Sequence, residues 1–447
     1  MKKLWIFLLF ILAFTSCNKS EIEYIFDKSP EQKVGELLTA LQSELLSSPY
    51  GWKASLNTNA SGGYGFYMNF KEDQTIEMLS DFSTAASNTL KKSTYRVTWT
   101  MNAALIFDTY NYITLLQDPT PSVNGGSSGN GLQSDVEFEL VSIEDNSIVL
   151  KGKRYSNHLT LVKLSEAEQK QYLEGGYTNS VNSVNNYFSS HQNNYLNVNG
   201  VSNLMEFVLT TTKGVVFQYV HTDGSVVSVT GKFNYELGGV NFNVPITVGD
   251  QVFIKGVLEG QDFYVYNINN EKFKISQHTQ PILPIETLFA YNKTYNAIHI
   301  NRVLPLGIIS DFNATYERSL GLFDAMNPAR HILQCYFKLT SATKAEVGIQ
   351  NQVKPNGTTY ATGLATYDYK MSEEGELVLS NPIYDSNFSA RATQLAPIRD
   401  FFIAPGSTSK KFKLSYIQSN DPSVSNIGGL VEVDKPTNFY YGSLRKM

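Results

Sequence analysis

Hydrophobic and polar positions change pattern several times along the chain. Lys2 and Lys3 precede an unbroken apolar run at 4–14 (LWIFLLFILAF), and Thr15, Ser16 and Cys17 follow before a polar stretch begins. From residue 29 the spacing becomes helical. Ser29 stands at an N-cap, Pro30 at the first helical position and Gln32 where a capping box needs it. Val34, Leu37, Leu38, Leu41 and Leu45 then fall on one face, and Ser47-Ser48-Pro49 ends the helix. Beyond it the period drops to two. Strands are predicted at 64–70, 75–79, 93–100, 104–107, 110–116, 136–141, 147–154 and 158–163. Alternation broken by turn residues at short intervals marks an antiparallel sheet or barrel.

A second block repeats the order. Ser165-Glu-Ala-Glu168 opens a helix with another capping box, and an Asn-rich stretch at 179–203 is expected to continue as an open connection. Strands resume at 204–211, 214–221, 225–235, 240–245 and 251–259, ending at 263–275. Residues 216–227 echo 66–77, and Gly231-Lys-Phe-Asn-Tyr echoes Ser93-Thr-Tyr-Arg-Val, which suggests an internal duplication. Pro281-Ile-Leu-Pro284 reads as a linker. In a third block, helices are predicted at 311–326 and 391–402 among strands at 332–339, 361–371, 376–379, 411–417 and 428–433. The expected fold is therefore α+β and β-rich. It comprises repeated helix-plus-antiparallel-sheet units, meander or barrel-like, at 29–165 and 166–279, then a mixed α/β unit at 280–447.

The first 28 residues have a different logic. Eleven apolar residues are too few to cross a hydrocarbon core, which takes about 20 in a helix. Positive residues, an apolar run and a small-residue cleavage site form an export signal. A cysteine just after the small residues is the usual lipid acceptor of a bacterial lipoprotein. Residues 1–16 are thus expected to be removed, Cys17 to be lipidated and 17–28 to act as a tether. Stable anchoring needs more than one acyl chain, which a mature lipoprotein carries, so the body needs no membrane-binding face of its own. An ordinary secretory signal with an incidental Cys17 is the plainer alternative.

Cleavage takes the net charge from −5 to −7. Mild acidity argues against nucleic acid as a partner, because that calls for basic patches. Only 17% of residues are charged, against a usual ~25%. Tyr, Phe and Thr make up much of the difference and favour strands. Once Cys17 is lipidated, Cys335 has no intramolecular partner, and its apolar neighbours predict a buried, inert thiol.

Candidate chemistry is sparse. Asn124-Gly-Gly-Ser-Ser-Gly-Asn-Gly-Leu132 lacks the Lys-Ser/Thr ending of a phosphate loop and leads into a strand, so a surface loop is expected. His158, His191, His221, His278, His299 and His331 are scattered, with no metal-ligand spacing, and His299-Ile-Asn-Arg302 has no acidic neighbour at helical spacing. Asp81, Asp108, Asp135 and Glu137 could serve a glycosidase only if two lay about 5–10 Å apart in a cleft. Asp108 is expected instead to close a turn through backbone hydrogen bonds. Trp52, Trp99, Tyr64, Phe66, Tyr67, Tyr110 and Tyr112 would be a sugar- or protein-binding set if exposed; most are expected in the core. No catalytic residue, metal ligand or cofactor site is assigned.

Several segments together resemble a known family. They are Phe26-Asp-Lys-Ser-Pro-Glu31, Ser48-Pro-Tyr-Gly-Trp-Lys53, Gly63-Tyr-Gly-Phe-Tyr67, Leu105-Ile-Phe-Asp-Thr-Tyr-Asn-Tyr112 and Ser134-Asp-Val-Glu-Phe-Glu139. With the leader they are similar to the Bacteroidota lipoprotein family known as domain of unknown function 4302, most densely over 26–165. The resemblance implies a setting near outer-membrane uptake complexes but carries over no site residue; surface display is expected from the tether, where Lys19 followed by Glu21 and Glu23 looks like a Bacteroidota surface-export signal. The leading expectation is a non-enzymatic binding or accessory lipoprotein, serving a transporter with glycan or peptide. The alternatives are a purely structural envelope subunit and a hydrolase with an unrecognised carboxylate site.

Overall fold

The computed structural model describes residues 29–354 and 357–447. The leader 1–16, Cys17 and the tether 17–28 lie outside the described residues. These residues form two compact units that divide at Asn179/Ser180.

The first unit is built on a closed barrel. β1 (Trp52–Asn57), β2 (Gly63–Phe70), β3 (Thr75–Ser80), β4 (Lys91–Trp99), β5 (Ala103–Phe107), β6 (Glu137–Glu144), β7 (Ser147–Gly152) and β8 (His158–Lys163) form an antiparallel meander. β8 pairs back with β1, with Trp52 opposite Lys163 and Leu56 opposite Leu159. Alternation sends Trp52, Ala54 and Leu56 inward with Phe66, Met68, Tyr95, Leu105, Phe138, Leu150 and Leu161. A barrel of eight strands is just wide enough for side chains to fill, and here they do.

The predicted leading helix spans Pro30–Leu46, with both hydrogen bonds of the Ser29/Gln32 capping box formed. It lays Leu41 and Leu45 into the barrel core. Its C-terminal end is tied to β1, where the Trp52 indole N–H donates to the Leu45 carbonyl at 3.0 Å. The helix predicted after Ser165 spans Glu166–Leu173 and covers β2 from outside. Tyr172 stacks on Tyr67 at 5.7 Å, and Gln169 donates to the Tyr67 hydroxyl. This explains why β2 is buried on both faces. The strand predicted at 110–116 is instead the helix Tyr112–Gln117. The Asn111 side chain accepts from the Ile113 and Thr114 N–H groups, and Thr114 accepts from Asn111 N–H. That capping box overrides the β propensity of the aromatic and branched residues it encloses.

The next helix is Gly176–Ser190, which occupies much of the Asn-rich stretch expected to be an open connection. Val184, Tyr187 and Phe188 on one face pack into the core of the following sheet. That sheet contains β9 (Asn194–Val198), β10 (Ser202–Leu209), β11 (Gly214–Val220), β12 (Val226–Glu236), β13 (Gly239–Val248), β14 (Gln251–Glu259), β15 (Asp262–Asn267), β16 (Lys272–Lys274) and β17 (Ser276–Gln277). β16 pairs with β15 and β17 with β9, on either side of Ile275. One continuous segment therefore bridges the two ends of the sheet. The echo between 66–77 and 216–227 falls on β2–β3 in one case and β11–β12 in the other. Counted from each preceding helix it is one strand out of step, a likeness of hairpins rather than of position.

The second unit ends in another closed barrel: β18 (Ala297–Asn301), β19 (Arg330–Leu339), β20 (Lys344–Val353), β21 (Tyr360–Met371), β22 (Glu376–Tyr384), β23 (Ser409–Tyr416), β24 (Ile427–Glu432) and β25 (Phe439–Arg445). β25 closes onto β18. The expected mixed unit is thus a barrel with helices spliced into its meander. Phe312–Asp324 lies between β18 and β19, and Ala392–Ile403 between β22 and β23. Phe312, Tyr316, Phe323, Leu395, Ile398, Phe401 and Phe402 from these helices join the barrel core.

Candidate functional site

Most residues singled out by sequence have structural tasks. Asp135 is buried, and its Oδ1 accepts from the N–H groups of Arg154 and Tyr155 at 2.8 and 3.0 Å, holding the turn after β7. Asp81 accepts from Gly65 N–H at 2.9 Å. Glu137 pairs with Lys153 at 3.6 Å. Asp108 pairs with Arg96 at 3.4 Å, an ion pair rather than the backbone-bonded turn that sequence suggests. Trp52, Tyr64, Phe66, Tyr67 and Tyr112 are buried, whereas Trp99 is 40% and Tyr110 51% exposed. The glycine loop is stitched by its own backbone, with Ser127 bridging Gly131 and Gly129 N–H donating to Pro119. Cys335 is fully buried, and burial pushes its thiol up to about 12. Among the described residues no group of three His, Cys, Asp or Glu could hold a metal ion. No helix among them is long and apolar enough to cross a membrane.

The histidines divide in the same way. His191 stacks on Tyr187 at 4.1 Å, His221 faces Asp223 at 3.3 Å, and His278 bonds the Gln280 carbonyl. His158 is exposed at the start of β8. His299 is buried, with Nε2 2.8 Å from Gln334 Oε1. His331 differs. It lines a cavity of about 280 Å³ at the rim of the C-terminal barrel, with Arg302, Val303, Leu320, Gly321, Asp324, Arg330, Ile332 and Lys354.

The spliced helix builds this cavity. β18 ends at Asn301, and Arg302 turns the chain at φ 29°, a conformation that non-glycine residues rarely adopt. Two bonds fix the turn: Arg302 N–H donates to the Leu333 carbonyl at 2.8 Å, and the Tyr316 hydroxyl donates to the Arg302 carbonyl at 3.2 Å. The helix Phe312–Asp324 then returns Leu320, Gly321 and Asp324 to the rim. β19 re-enters at Arg330 and His331, while Lys354 leaves the end of β20 with its N–H bonded to the Ala329 carbonyl at 2.8 Å.

Three cations and one carboxylate face the cavity, an excess of positive charge on a chain whose net charge is −5. Lys354 pairs with Asp324. Arg330 is 6% exposed and held by neutral acceptors: Nε donates to Asn351 Oδ1 at 2.6 Å, and Nη2 to the Asn351 and Thr359 carbonyls. His331 is 8% exposed, and its Nδ1 has no hydrogen-bond partner. Burial lowers the affinity of its imidazole for a proton below the histidine norm. The Arg302 and Lys354 charges push the same way, and a hydrogen bond with Gln352 opposes them. The imidazole is therefore neutral at pH 7.

A family described as a domain of unknown function, DUF4302, matches residues 23–258, more than half of the chain. The chain belongs to that family. No curated relative and no solved structure matches it. The DUF4302 match spans the first barrel and the following sheet as far as β14, so the rim cavity lies C-terminal to it.

Sequence reasoning named His331, and Arg302 through its segment, but not the set they belong to. A doublet Arg330-His331 opening an apolar strand was the one local signal. Leu320, Asp324 and Lys354 join it only through the fold.

Proposed function

We propose that this DUF4302 protein is a lipoprotein of the cell envelope that works as a non-enzymatic binding or accessory subunit. It is anchored through Cys17 at the outer membrane and serves uptake of a glycan- or peptide-type ligand. The rim cavity carries the reading: a preformed concavity with a few convergent polar groups is the usual form of a ligand site. The leader supports the placement, with its lysines, short apolar run and Cys17 after small residues. The four carboxylates singled out for a hydrolase, Asp135, Asp81, Asp108 and Glu137, hold a turn, a backbone bond and two ion pairs.

A glycan and peptide array probed with the full chain tests binding, with retention of at least one ligand class expected. Retention of none, with the protein folded, would favour a purely structural subunit. Turnover of a retained ligand, lost on changing Asp108 or Asp135, would favour the hydrolase. Fatty-acid labelling tests the anchor: Cys17→Ala is expected to lose label, and equal labelling of the variant would contradict anchoring at that residue.

A further inference from the structure

We infer that the rim cavity of the C-terminal barrel is an anion site, taking the carboxylate or phosphate-ester group of a ligand about one sugar ring in size. This rests on the binding reading above and narrows it to a chemistry.

Four observations converge. The Arg302 guanidinium lines the cavity without a side-chain partner among the described residues, although carboxylates are plentiful in this acidic chain. Arg330 is buried in the same wall and satisfied by neutral oxygens, so its positive charge is not cancelled by a carboxylate. A buried charge of one sign with no counter-ion is costly unless something of opposite sign visits it. His331 is nine-tenths buried beside both, with a ring nitrogen left unpartnered. Lys354 is held by Asp324 and the Arg330 fork by Asn351 and Thr359, which leaves the Arg302 guanidinium as the cation free to meet a ligand, with the Arg330 charge behind it. A planar guanidinium fork matches carboxylate and phosphate oxygens in pairs, which an ammonium cannot do.

Size narrows the ligand. Sites for drug-sized molecules run from ~300 to 1,000 Å³, and about 280 Å³ falls just below that range. Val303 and Leu320 give the cavity an apolar side on which a ring can rest while its anionic group meets Arg302. The 302–329 connection between β18 and β19 supplies Arg302 and the helix, so it shapes the site.

Titration calorimetry on the full chain decides the matter, with glucuronate, inorganic phosphate and glucose as probes. At least one anion is expected to bind, more weakly as salt is raised, and glucose not to bind. Arg302→Glu is exposed enough to leave the fold intact, checked by circular dichroism, and is expected to weaken anion binding at least tenfold. His331→Gln is expected to weaken it several-fold. Tighter binding of glucuronate would mark a carboxylated sugar as the ligand, and tighter binding of phosphate a phosphate ester. If neither anion bound the parent chain, or Arg302→Glu bound it as well as the parent, the anion site would fall. If neutral glucose bound in the cavity regardless of Arg302, the binding reading would stand and the anion chemistry would fall.

Discussion

The first and last barrels of this chain have the same strand count and order, but they meet their helices in different ways, and the last one has a cavity at its rim. In the first, the helix Pro30–Leu46 precedes the meander and docks as a separate piece, and the ring β1–β8 carries only short helical inserts. In the last, two substantial helices are spliced between strands, and the first of them must leave and re-enter the rim between Asn301 and Arg330. A helix added before a meander can bury its apolar face without disturbing the ring. A helix inserted within one forces two chain crossings at the rim, and the space between those crossings holds Arg302, Asp324 and Arg330. The comparison teaches that these barrels gain a site through their connections, because both interiors are already filled with side chains.

The strongest way to break the comparison is to show that an interior is not packed. Trp52→Ala in the first barrel and Phe402→Ala in the last are each expected to cost about 3–5 kcal/mol by denaturant unfolding, through lost burial and the cavity left behind. A loss below about 1 kcal/mol at either position would mean a hollow barrel able to hold a ligand inside.

Gly152→Ala sharpens the picture of the first barrel. A Cβ there would collide with the side chain of Asp135, the carboxylate that holds the following turn. Overpacking of this kind costs about 1–3 kcal/mol, read as a lower unfolding midpoint. An unchanged midpoint would show that Asp135 is free to move and is not committed to structure.

The two helix types differ in how they start. The Pro30–Leu46 helix has a full capping box, whereas the Phe312–Asp324 helix has no side-chain cap, and Asp311 pairs with Lys435 at 2.8 Å instead. Ser29→Ala is therefore expected to cost about 1 kcal/mol. Asp311→Ala, which removes an exposed ion pair, should cost about 0–1 kcal/mol. The reverse order in denaturant midpoints would contradict the assigned start signals.

How much of this was readable beforehand depends on the range of the forces. The Ser29/Gln32 and Ser165/Glu168 boxes act over three residues, and both helices were legible. Alternation likewise gave most strands of the first barrel. Ring closure was not legible, because it pairs Trp52 with Lys163, and no local signal encodes that register. The helix at Tyr112 was not legible, because the aromatic and branched residues around the Asn111/Thr114 box favour strands. The rim site is the extreme case: its charged residues are spread from 302 to 354 and meet only after the barrel closes.

pH provides a smaller and more specific contrast. Burial lowers the proton affinity of both His299 and His331 in the last barrel, with Arg445 adding to the effect at His299 and Arg302 and Lys354 at His331. On unfolding, both return to an ordinary value of 6.5, so below that pH the unfolded chain binds protons first. Their contribution to stability is complete above about pH 6.5 and falls as pH drops beneath it. The melting temperature of the parent is expected to decline over that window, and the double variant His299→Gln, His331→Gln to flatten the decline. An identical slope in both proteins would count against burial of these rings.

The most direct test of the central claim follows the ring of His331 itself. In protein labelled with ¹³C at histidine Cε1, with His331 assigned through His331→Gln, glucuronate or phosphate is added across a pH series. An anion held by Arg302 should shift the His331 signal and raise its pKa toward the ordinary 6.5, because negative charge nearby favours the imidazolium. His299 should stay where it is. A His331 signal unmoved by saturating anion, or one that moves together with all the other histidines, would contradict an anion site at the rim.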